Sequence, residues 1–350
     1  MATGVLGSDP DLTLDVEKTL RSRRTKVGIL AIGAGVLFCF GLVVGAVPLS
    51  LPAIVTGTAS EFELVVFESI RAPRVILAGF VGAALGIAGA ALQGLFRNPL
   101  ADPGLIGVSA GAALGAISMI VLGEQLNLPE WIEPYAIPLA AITGALLVTG
   151  FLYGFASAFG HFSIVTLLLV GIAINALSTV GIGAFEYLSD DRQLRSLVFW
   201  MMGSFGRAQW TTLIPAMMVM GLSIGFLVSQ ARSLDLLQLG EADAEFLGVN
   251  TARLKRIVVI GTAFGVGSAV ALSGIIGFVG LVVPHLVRLM IGPGHVHLLP
   301  GAAFLGAGLM IAADMVARII IVPAEIPVSL VTSAFGAPFF LWLIARVRPV

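Results

Sequence analysis

The hydrophobic positions of this chain form long runs that contain no charged residue and are separated by short polar segments. Eight such runs lie at residues 27–60, 75–96, 103–123, 134–185, 208–231, 257–287, 289–313 and 326–345. A membrane-spanning α-helix needs about 20 apolar residues, so several of these runs hold one helix and the run at 134–185 must hold two. The pattern predicts an all-α integral membrane protein.

Ten helices account for these runs. We predict membrane spans at residues 27–48, 75–96, 104–122, 137–158, 164–187, 211–229, 257–273, 275–290, 298–319 and 327–345. The seventh and eighth spans could instead form one long tilted helix, because only Ser273 and Gly274 separate them. Short, broken helices are tolerated in a membrane only where their free backbone groups face protein or a water-filled cavity. A break at this point therefore indicates a transport pathway.

The distribution of basic residues favours ten spans. With the amino terminus inside, ten spans place most of the 19 lysines and arginines on the cytoplasmic side, as the positive-inside rule requires. The outside keeps Arg71, Arg74, Arg192, Arg195, Arg207 and Arg318. A single helix across the doubtful run would move Arg288, Arg346 and Arg348 outside. Both termini are therefore predicted to be cytoplasmic, with residues 1–26 as a polar segment and 27–350 as the transmembrane domain.

Composition agrees with a membrane protein. Hydrophobic residues make up 58% of the chain and charged residues 11%, against about 45–50% and 25% in soluble domains. The apolar run that begins at Val27 starts too late and is too long for a secretory signal peptide, so the first helix is expected to be retained. Cys39 is the single cysteine, which excludes an internal disulfide and a cysteine-based metal site.

The segment FRNPLADP at residues 96–103 interrupts the apolar pattern. Pro99 and Pro103 remove backbone donors and restrict the residue before each, so the helix cannot continue. Asn98 and Asp102 suit a turn. Small residues recur upstream at three- and four-residue spacing, at Gly79, Gly82, Gly86 and Ala90. Such spacing predicts close packing between membrane helices.

ATP hydrolysis would require a glycine-rich loop ending in Gly-Lys-Ser/Thr, and none of the three lysines follows a glycine. Energy must therefore come from another chain, and this chain is not expected to be an enzyme. The cytoplasmic segment 231–256 is the only inside loop large enough to dock a partner. Its sequence suits short amphipathic helices, with Leu239, Gly240, Glu241, Asp243, Phe246, Leu247 and Gly248 as the docking residues. The alternative is a helix lying on lipid, but anionic headgroups would repel its acidic face.

The histidines and the ionisable residues of the spans do not predict a cofactor or metal site. His161, His285, His295 and His297 are each interpreted as ordinary solvated or helix-end histidines, because metal sites need several convergent ligands. A proton-coupled carrier would need ionisable groups near the membrane centre, and only Asp314 comes close. Asp314 lies four residues before Arg318 and could pair with it. An intramembrane enzyme is also disfavoured, because no nucleophile and base can be placed together.

Four stretches carry a family resemblance, and they occur in the family's order. They are RAPRVILAGFVGAALGIAGAALQGLFRNPLADPGLIGVSAGA, LQLGEADAEFLGVN, SGIIGFVGLVVPHLVRL and PAEIPVSLVTSAFGAPFFLWL. They resemble the permease subunit of type II ABC importers, which carry cobalamin, ferric siderophores and heme. The resemblance implies a homodimer in the bacterial inner membrane, two ATP-binding subunits on the cytoplasmic face and a periplasmic binding protein. Membrane lipid is a further expected partner, and nucleic acid is not.

Two of the stretches point to the cargo. NPLADPGLIGVSAGAALGA and IGPGHVHLLPGAAFLGA most resemble heme permeases, with ferric siderophores and cobalamin as the alternatives. Two departures weaken that assignment: Ser329 stands where the family usually has glycine, and GHVH replaces a more basic loop. Ser329 is small, so helix packing is expected to survive.

The resemblance also implies roles for individual residues. Arg71, Arg74 and Arg318 match arginines that meet glutamates of the binding protein, and they are expected to present their charge at the outer surface. The alternative is that they anchor helix ends at the headgroups, or that Arg318 only pairs with Asp314. The residues that match two cytoplasmic gates are Asn98 and Leu100, and Ser163 and Ile164. The alternative for the apolar gate residues is ordinary packing.

Overall fold

The fold is that of a computed structural model, which describes residues 10–45, 47, 49–158, 164–321 and 324–346. These residues form a helical bundle, and no β-strand occurs within the described ranges. The helices are α1 (Pro10–Val43), α2 (Leu51–Val55), α3 (Glu61–Val65), α4 (Ala72–Phe96), α5 (Val108–Leu122), α6 (Glu133–Ala158), α7 (Ile164–Leu188), α8 (Asp191–Met201), α9 (Trp210–Ser229), α10 (Ala231–Leu237), α11 (Glu241–Phe246), α12 (Thr251–Ser273), α13 (Val279–Ile291), α14 (His295–Ile319) and α15 (Val328–Arg346).

Each of the ten predicted spans corresponds to one helix of this bundle. Eight of these helices are long and apolar enough to cross a membrane. The other two, α13 and α15, are apolar but shorter. The all-α membrane architecture is therefore confirmed, and the count of ten crossings stays a prediction.

The predicted break between the seventh and eighth spans is real. Helix α12 ends at Ser273 and α13 begins at Val279. Gly274 has φ +72°, and a Cβ placed on it would lie 2.0 Å from the carbonyl oxygen of Trp200. A right-handed helix needs a negative φ, so α12 ends at this residue, and only glycine fits that backbone and that space.

Helix α4 is the centre of the bundle and is buried along most of its length. It packs against α9, α12, α13 and α14. A Cβ on Gly82 would lie 2.1 Å from the carbonyl oxygen of Gly306, and one on Gly86 would lie 2.5 Å from that of Ala302. The two backbones therefore approach as closely as glycine permits, which confirms the predicted small-residue packing face.

Several short elements escaped the hydropathy pattern. Before α4, the chain already forms α3 and a π-helical turn at Val66–Arg71, so this helical stretch begins at Glu61 rather than near residue 75. Helix α8 is amphipathic and begins with a capping box between Asp190 and Gln193. The predicted short helices of segment 231–256 are present as α10 and α11.

The bundle has two distinct ends. The arginine end comprises the start of α4 and the carboxyl ends of α1 and α14, where Arg71 and Arg318 lie. The loop end comprises the carboxyl end of α4, the loop at 97–107, α10, α11 and the turn at 292–294. At the loop end, Lys26 Nζ donates to the carbonyl oxygen of Met290 at 2.8 Å. The bias of basic residues predicts that the loop end faces the cytoplasm.

Candidate functional site

The arginine end contains a buried ion-pair cluster. Arg74 contacts Asp314 through Nε and Nη2, at 2.9 and 2.8 Å from Oδ1. Arg318 Nε lies 3.1 Å from Asp314 Oδ2, one helical turn along α14. The predicted pairing of Asp314 with Arg318 is therefore confirmed, and Asp314 bridges α14 to α4.

The remaining donors of the cluster bind backbone carbonyls and one acidic side chain. Arg71 donates to the carbonyl oxygens of Val43 and Val47, each at 2.6 Å, and so caps the end of α1. Arg74 Nη1 contacts both carboxylate oxygens of Glu325, at 2.7 and 2.8 Å. Arg318 Nη2 donates to the carbonyl oxygen of Gly41, whereas its buried Nη1 has no hydrogen-bond partner among the described residues.

The expectation that these arginines present their charge at the outer surface is wrong for the single chain. Arg71, Arg74 and Arg318 are each only 4% exposed. Close packing of α4 on α14 and on the end of α1 covers them, and backbone carbonyls and two carboxylates compensate their charge. Three arginines against two carboxylates leave one net positive charge, and Glu325 is the member whose side chain is 46% exposed. Their role in docking a binding protein stays a prediction.

At the loop end, residues 97–107 form the candidate gate loop. Arg97 ends α4 in the left-handed region, with φ +49°. The Asn98 side-chain oxygen accepts a hydrogen bond from the Leu100 backbone at 2.9 Å, which closes a tight turn. Leu100 is 52% exposed although it is apolar. Of the second predicted gate, Ile164 is the first residue of α7, and Ser163 lies outside the described residues.

Helix α7 holds the far side of the gate loop. Asn175 Nδ2 donates to the carbonyl oxygen of Gly104 at 3.0 Å. A Cβ on Gly171 would lie 2.1 Å from the carbonyl oxygen of Leu105, so the loop rests directly on the α7 backbone. Burial raises the pKa of half-buried Asp102, and its hydrogen bond from the Gly104 backbone at 2.8 Å opposes the rise. The one sequence signal for this contact was a polar Asn within an apolar helix.

Helices α10 and α11, with the residues up to Asn250, form the coupling segment. Three of its large apolar side chains are exposed: Phe246 is 92% exposed, and Leu239 and Leu247 are exposed as well. Gly240 and Gly248 have φ of +129° and +89°, so they end the short helices where other residues would be strained. Exposed apolar residues grouped on one projecting segment are typical of a protein interface.

The acidic residues of the coupling segment have different surroundings. Glu241 pairs with Lys255 at 2.7 Å, which ties α11 to the start of α12. Asp243 is exposed. Both lie beside the bare apolar residues, as predicted for the docking surface of a partner. The role of this surface stays a prediction.

The interpretation of His295 as a solvated loop residue is wrong. His295 is the first residue of α14 and only 3% exposed. Its Nδ1 and its backbone N–H both lie 2.7 Å from Asp235 Oδ1 on α10. Burial acts to raise the pKa of Asp235, but the hydrogen bonds from His295 outweigh it and lower that pKa. No sequence signal pairs these residues, because 60 positions separate them.

The other histidines do not assemble a site in the described parts of the chain. His285 meets the ring of Phe339 edge-on at 6.2 Å, and His297 is half-buried on α14. His161 lies outside the described residues. Among the residues that the structure covers, no three His, Cys, Asp or Glu side chains converge as metal ligands. Ser329, the departure from the expected glycine, donates a hydrogen bond to the Met202 carbonyl, so packing survives there.

Comparison with known proteins places this geometry in a family. The sequence profile of the FecCD transport family matches residues 33–346. The hemin transport system permease protein HmuU of Yersinia pestis is 45% identical over 325 residues, which are 93% of this chain and 96% of that protein. The vitamin B12 import system permease protein BtuC of Escherichia coli O9:H4 is 42% identical over 292 residues, which are 82% and 85% of the two chains.

A solved structure gives the same result. An inward-facing structure described as a metal-chelate type ABC transporter matches with a TM-score of 0.83 at 34% identity, over 92% of this chain and 99% of that chain. The profile covers most of the chain, and the relatives match it over nearly their whole length. The chain therefore belongs to the FecCD transport family and is a multi-pass membrane permease of the type II ABC importers.

Proposed function

We propose that this chain is the permease subunit of a heme importer of the bacterial inner membrane. It would act as a homodimer with two ATP-binding subunits and a periplasmic binding protein, with both termini in the cytoplasm. The observation that supports heme is the 45% identity to a hemin permease along almost the whole chain. Cobalamin is the second candidate, because a vitamin B12 permease is nearly as similar. A ferric siderophore is the third.

The coupling segment supports a separate ATPase. This chain has no phosphate-binding loop, so the energy must enter through a partner. Phe246, Leu239 and Leu247 project from the loop end, where water would otherwise surround them. Burying such side chains at an interface centre supplies much of the binding free energy of a complex.

The arginine end supports docking of a binding protein that presents carboxylates. The net positive charge of the cluster would attract them, and Glu325 covers the route from the surface to Arg74. Arg318 Nη1, which has no hydrogen-bond partner within the described ranges, is a donor that a partner carboxylate could satisfy. Complementary charge would steer the encounter and fix the orientation of the two proteins.

The outward face of α7 supports a homodimer with the pathway on its two-fold axis. Large apolar side chains along α7 are exposed in the single chain, among them Val165, Leu169, Ile172, Leu177 and Val180. Lipid or a second copy must cover them. The gate loop packs on α7 at Asn175 and Gly171, so a pathway along α7 would end at that loop.

A reconstituted complex tests the function. The permease is inserted in vesicles with its ATPase and binding protein, and ATP hydrolysis and uptake are measured with hemin, a ferric siderophore or cobalamin on the binding protein. We expect hemin to stimulate hydrolysis most and to accumulate inside. Stimulation by another cargo alone would refute heme, and uptake driven by a proton gradient without ATP would refute the importer mechanism.

A further inference from the structure

Gln238 and His295 connect the coupling segment to the last turn of α4. Gln238 Nε2 donates to the carbonyl oxygen of Gly94 at 2.8 Å, and also to Leu234 on its own helix at 3.0 Å. The carbonyls of a last helical turn have no partner within the helix. The Gly94 carbonyl accepts its shorter hydrogen bond from Gln238 of the coupling segment and a longer one, at 3.3 Å, from the N–H of Arg97.

The His295 ring packs on the same glycine. A Cβ placed on Gly94 would lie 2.2 Å from His295 Nε2, so no larger residue fits without moving the ring. On its other side the ring is held to α10 by the hydrogen bond between Nδ1 and Asp235, and the His295 backbone N–H donates to the same carboxylate oxygen. Gly94 is thus held from α10 in two ways, directly by Gln238 and through the Asp235–His295 pair.

Gly94 sets the direction in which the gate loop leaves α4. Its carbonyl oxygen also accepts the N–H of Arg97 at 3.3 Å, and the N–H of Asn98 bonds to Gln93 at 3.1 Å. These bonds form the turn that places Leu100. Hydrogen bonds lose strength steeply with distance and angle, so a shift of α10 against α4 would act on this turn.

We propose that Gln238, Asp235 and His295 are positioning residues that transmit movement of the coupling segment to the gate loop. This inference rests on the proposed function, in which ATP hydrolysis moves the coupling segment and the gate loop controls passage. The proposal assigns the three residues no contact with the cargo. Their role is to keep the carboxyl end of α4 attached to α10.

Gln238→Glu is the most direct test, because it keeps the size of the side chain and replaces its donor by an acceptor facing the Gly94 carbonyl. In the complete complex we expect the ATPases to remain bound and basal ATP hydrolysis to continue. Hemin uptake per ATP should fall about tenfold, because one hydrogen bond is lost and an acceptor then faces the Gly94 carbonyl oxygen. Gln230→Glu is the matched control, because within the described residues the Gln230 side chain donates to its neighbour Ser229 and not to α4.

Two variants of His295 separate its hydrogen bond to Asp235 from its packing on Gly94. His295→Asn keeps a donor near Asp235 but removes the contact with Gly94, whereas His295→Gln shifts the amide away from Asp235. We expect both to reduce uptake per ATP, and His297→Ala to leave it unchanged. Gly94→Ala, which pushes the ring aside, should behave like Gln238→Glu.

Uptake per ATP separates a coupling role from a merely structural one, and hydrogen exchange shows where in the chain the change occurs. In the permease with bound ATPases, amides 97–107 should exchange several-fold faster in Gln238→Glu and Gly94→Ala, with α4 and α14 unchanged. If the variants keep wild-type uptake per ATP and wild-type exchange in this loop, the proposed link between α10 and the gate loop is wrong. It is also wrong if the variants release the ATPases. A wild-type complex that hemin does not stimulate would refute the proposed function instead, and hydrogen exchange would still decide the link.

Discussion

The two ends of the bundle hold their functional residues in opposite ways. At the arginine end, three guanidinium groups are buried and bound to carboxylates and carbonyls, with Glu325 as the exposed member. At the loop end, apolar side chains such as Phe246 are bare. A buried charge cluster contributes to the stability of its own chain. Exposed apolar side chains are unfavourable in water, and a partner that buries them stabilises the complex. The same difference predicts which changes unfold the permease and which only separate it from partners.

The largest effect is expected at Asp314. Asp314→Asn removes the negative charge that Arg74 and Arg318 share, and breaking a buried ion pair costs about 3–5 kcal/mol. Thermal unfolding of the purified permease should therefore occur at a clearly lower temperature. Glu325→Gln, at the half-exposed position, is the matched control and should change unfolding little. If Asp314→Asn unfolds at the wild-type temperature, the cluster is not a structural element.

Phe246→Ala is expected to have the next largest effect. It should weaken binding of the ATPase and leave the stability of the permease unchanged. Removing an aromatic side chain from an interface centre costs about 2 kcal/mol or more of binding free energy, so binding of the ATPase should weaken roughly 30-fold. The unfolding temperature should not change, because Phe246 is bare in the single chain. Tyr187→Ala removes an equally exposed aromatic residue at the arginine end and should leave ATPase binding intact.

Gly248 offers a second test of the same docking surface. Here a substitution would weaken binding by adding a side chain and backbone strain, not by removing an interface residue. A Cβ placed on Gly248 would have no described atom within 4 Å, but the φ of +89° at this position strains any other residue. Gly248→Trp should disrupt ATPase docking, and Gly248→Ala reports how much of that loss is backbone strain. Equal losses in both variants would show that the close approach of the partner is not limiting.

Glu325→Gln should sharpen the docking prediction at the arginine end. Reversing Arg71, Arg74 and Arg318 together would break the buried cluster, so a loss of docking in that variant would have no single cause. Removing the Glu325 charge instead exposes the positive charge of Arg74 to a partner carboxylate. We expect the binding protein to dock a few-fold more tightly, with the gain shrinking as salt rises. Unchanged affinity at low salt would argue against docking through these arginines.

The smallest effect is expected at Asp102. Its pKa is raised in the folded chain, so ionisation of this group disfavours folding, and stability should rise as pH falls through the raised pKa toward the ordinary value near 4. Asp102→Asn keeps the oxygen that accepts the Gly104 N–H and removes this dependence. The difference in unfolding temperature between variant and wild type should be largest near neutral pH and shrink on acidification. A difference that grows on acidification would contradict the raised pKa.

Sequence patterns predicted the elements of this fold well and its contacts poorly. The break at Gly274, the small-residue face of α4 and the short helices of the coupling segment were all readable from local residues. The early start of this helical stretch at Glu61 was not, because Glu61, Glu63 and Arg71 interrupt the hydropathy pattern. The Asp314–Arg318 pair was predictable because its members are one turn apart on one helix.

By itself, the sequence determined which segments are membrane helices and where they end, because in lipid each backbone donor and acceptor must find its partner locally. Only the tertiary structure decided what the polar side chains do. Arg74 reaches Asp314 across 240 positions, and His295 reaches Asp235 across 60. Whether such a side chain is solvated or buried depends on which helices pack together, and that packing depends on close backbone contacts between small residues.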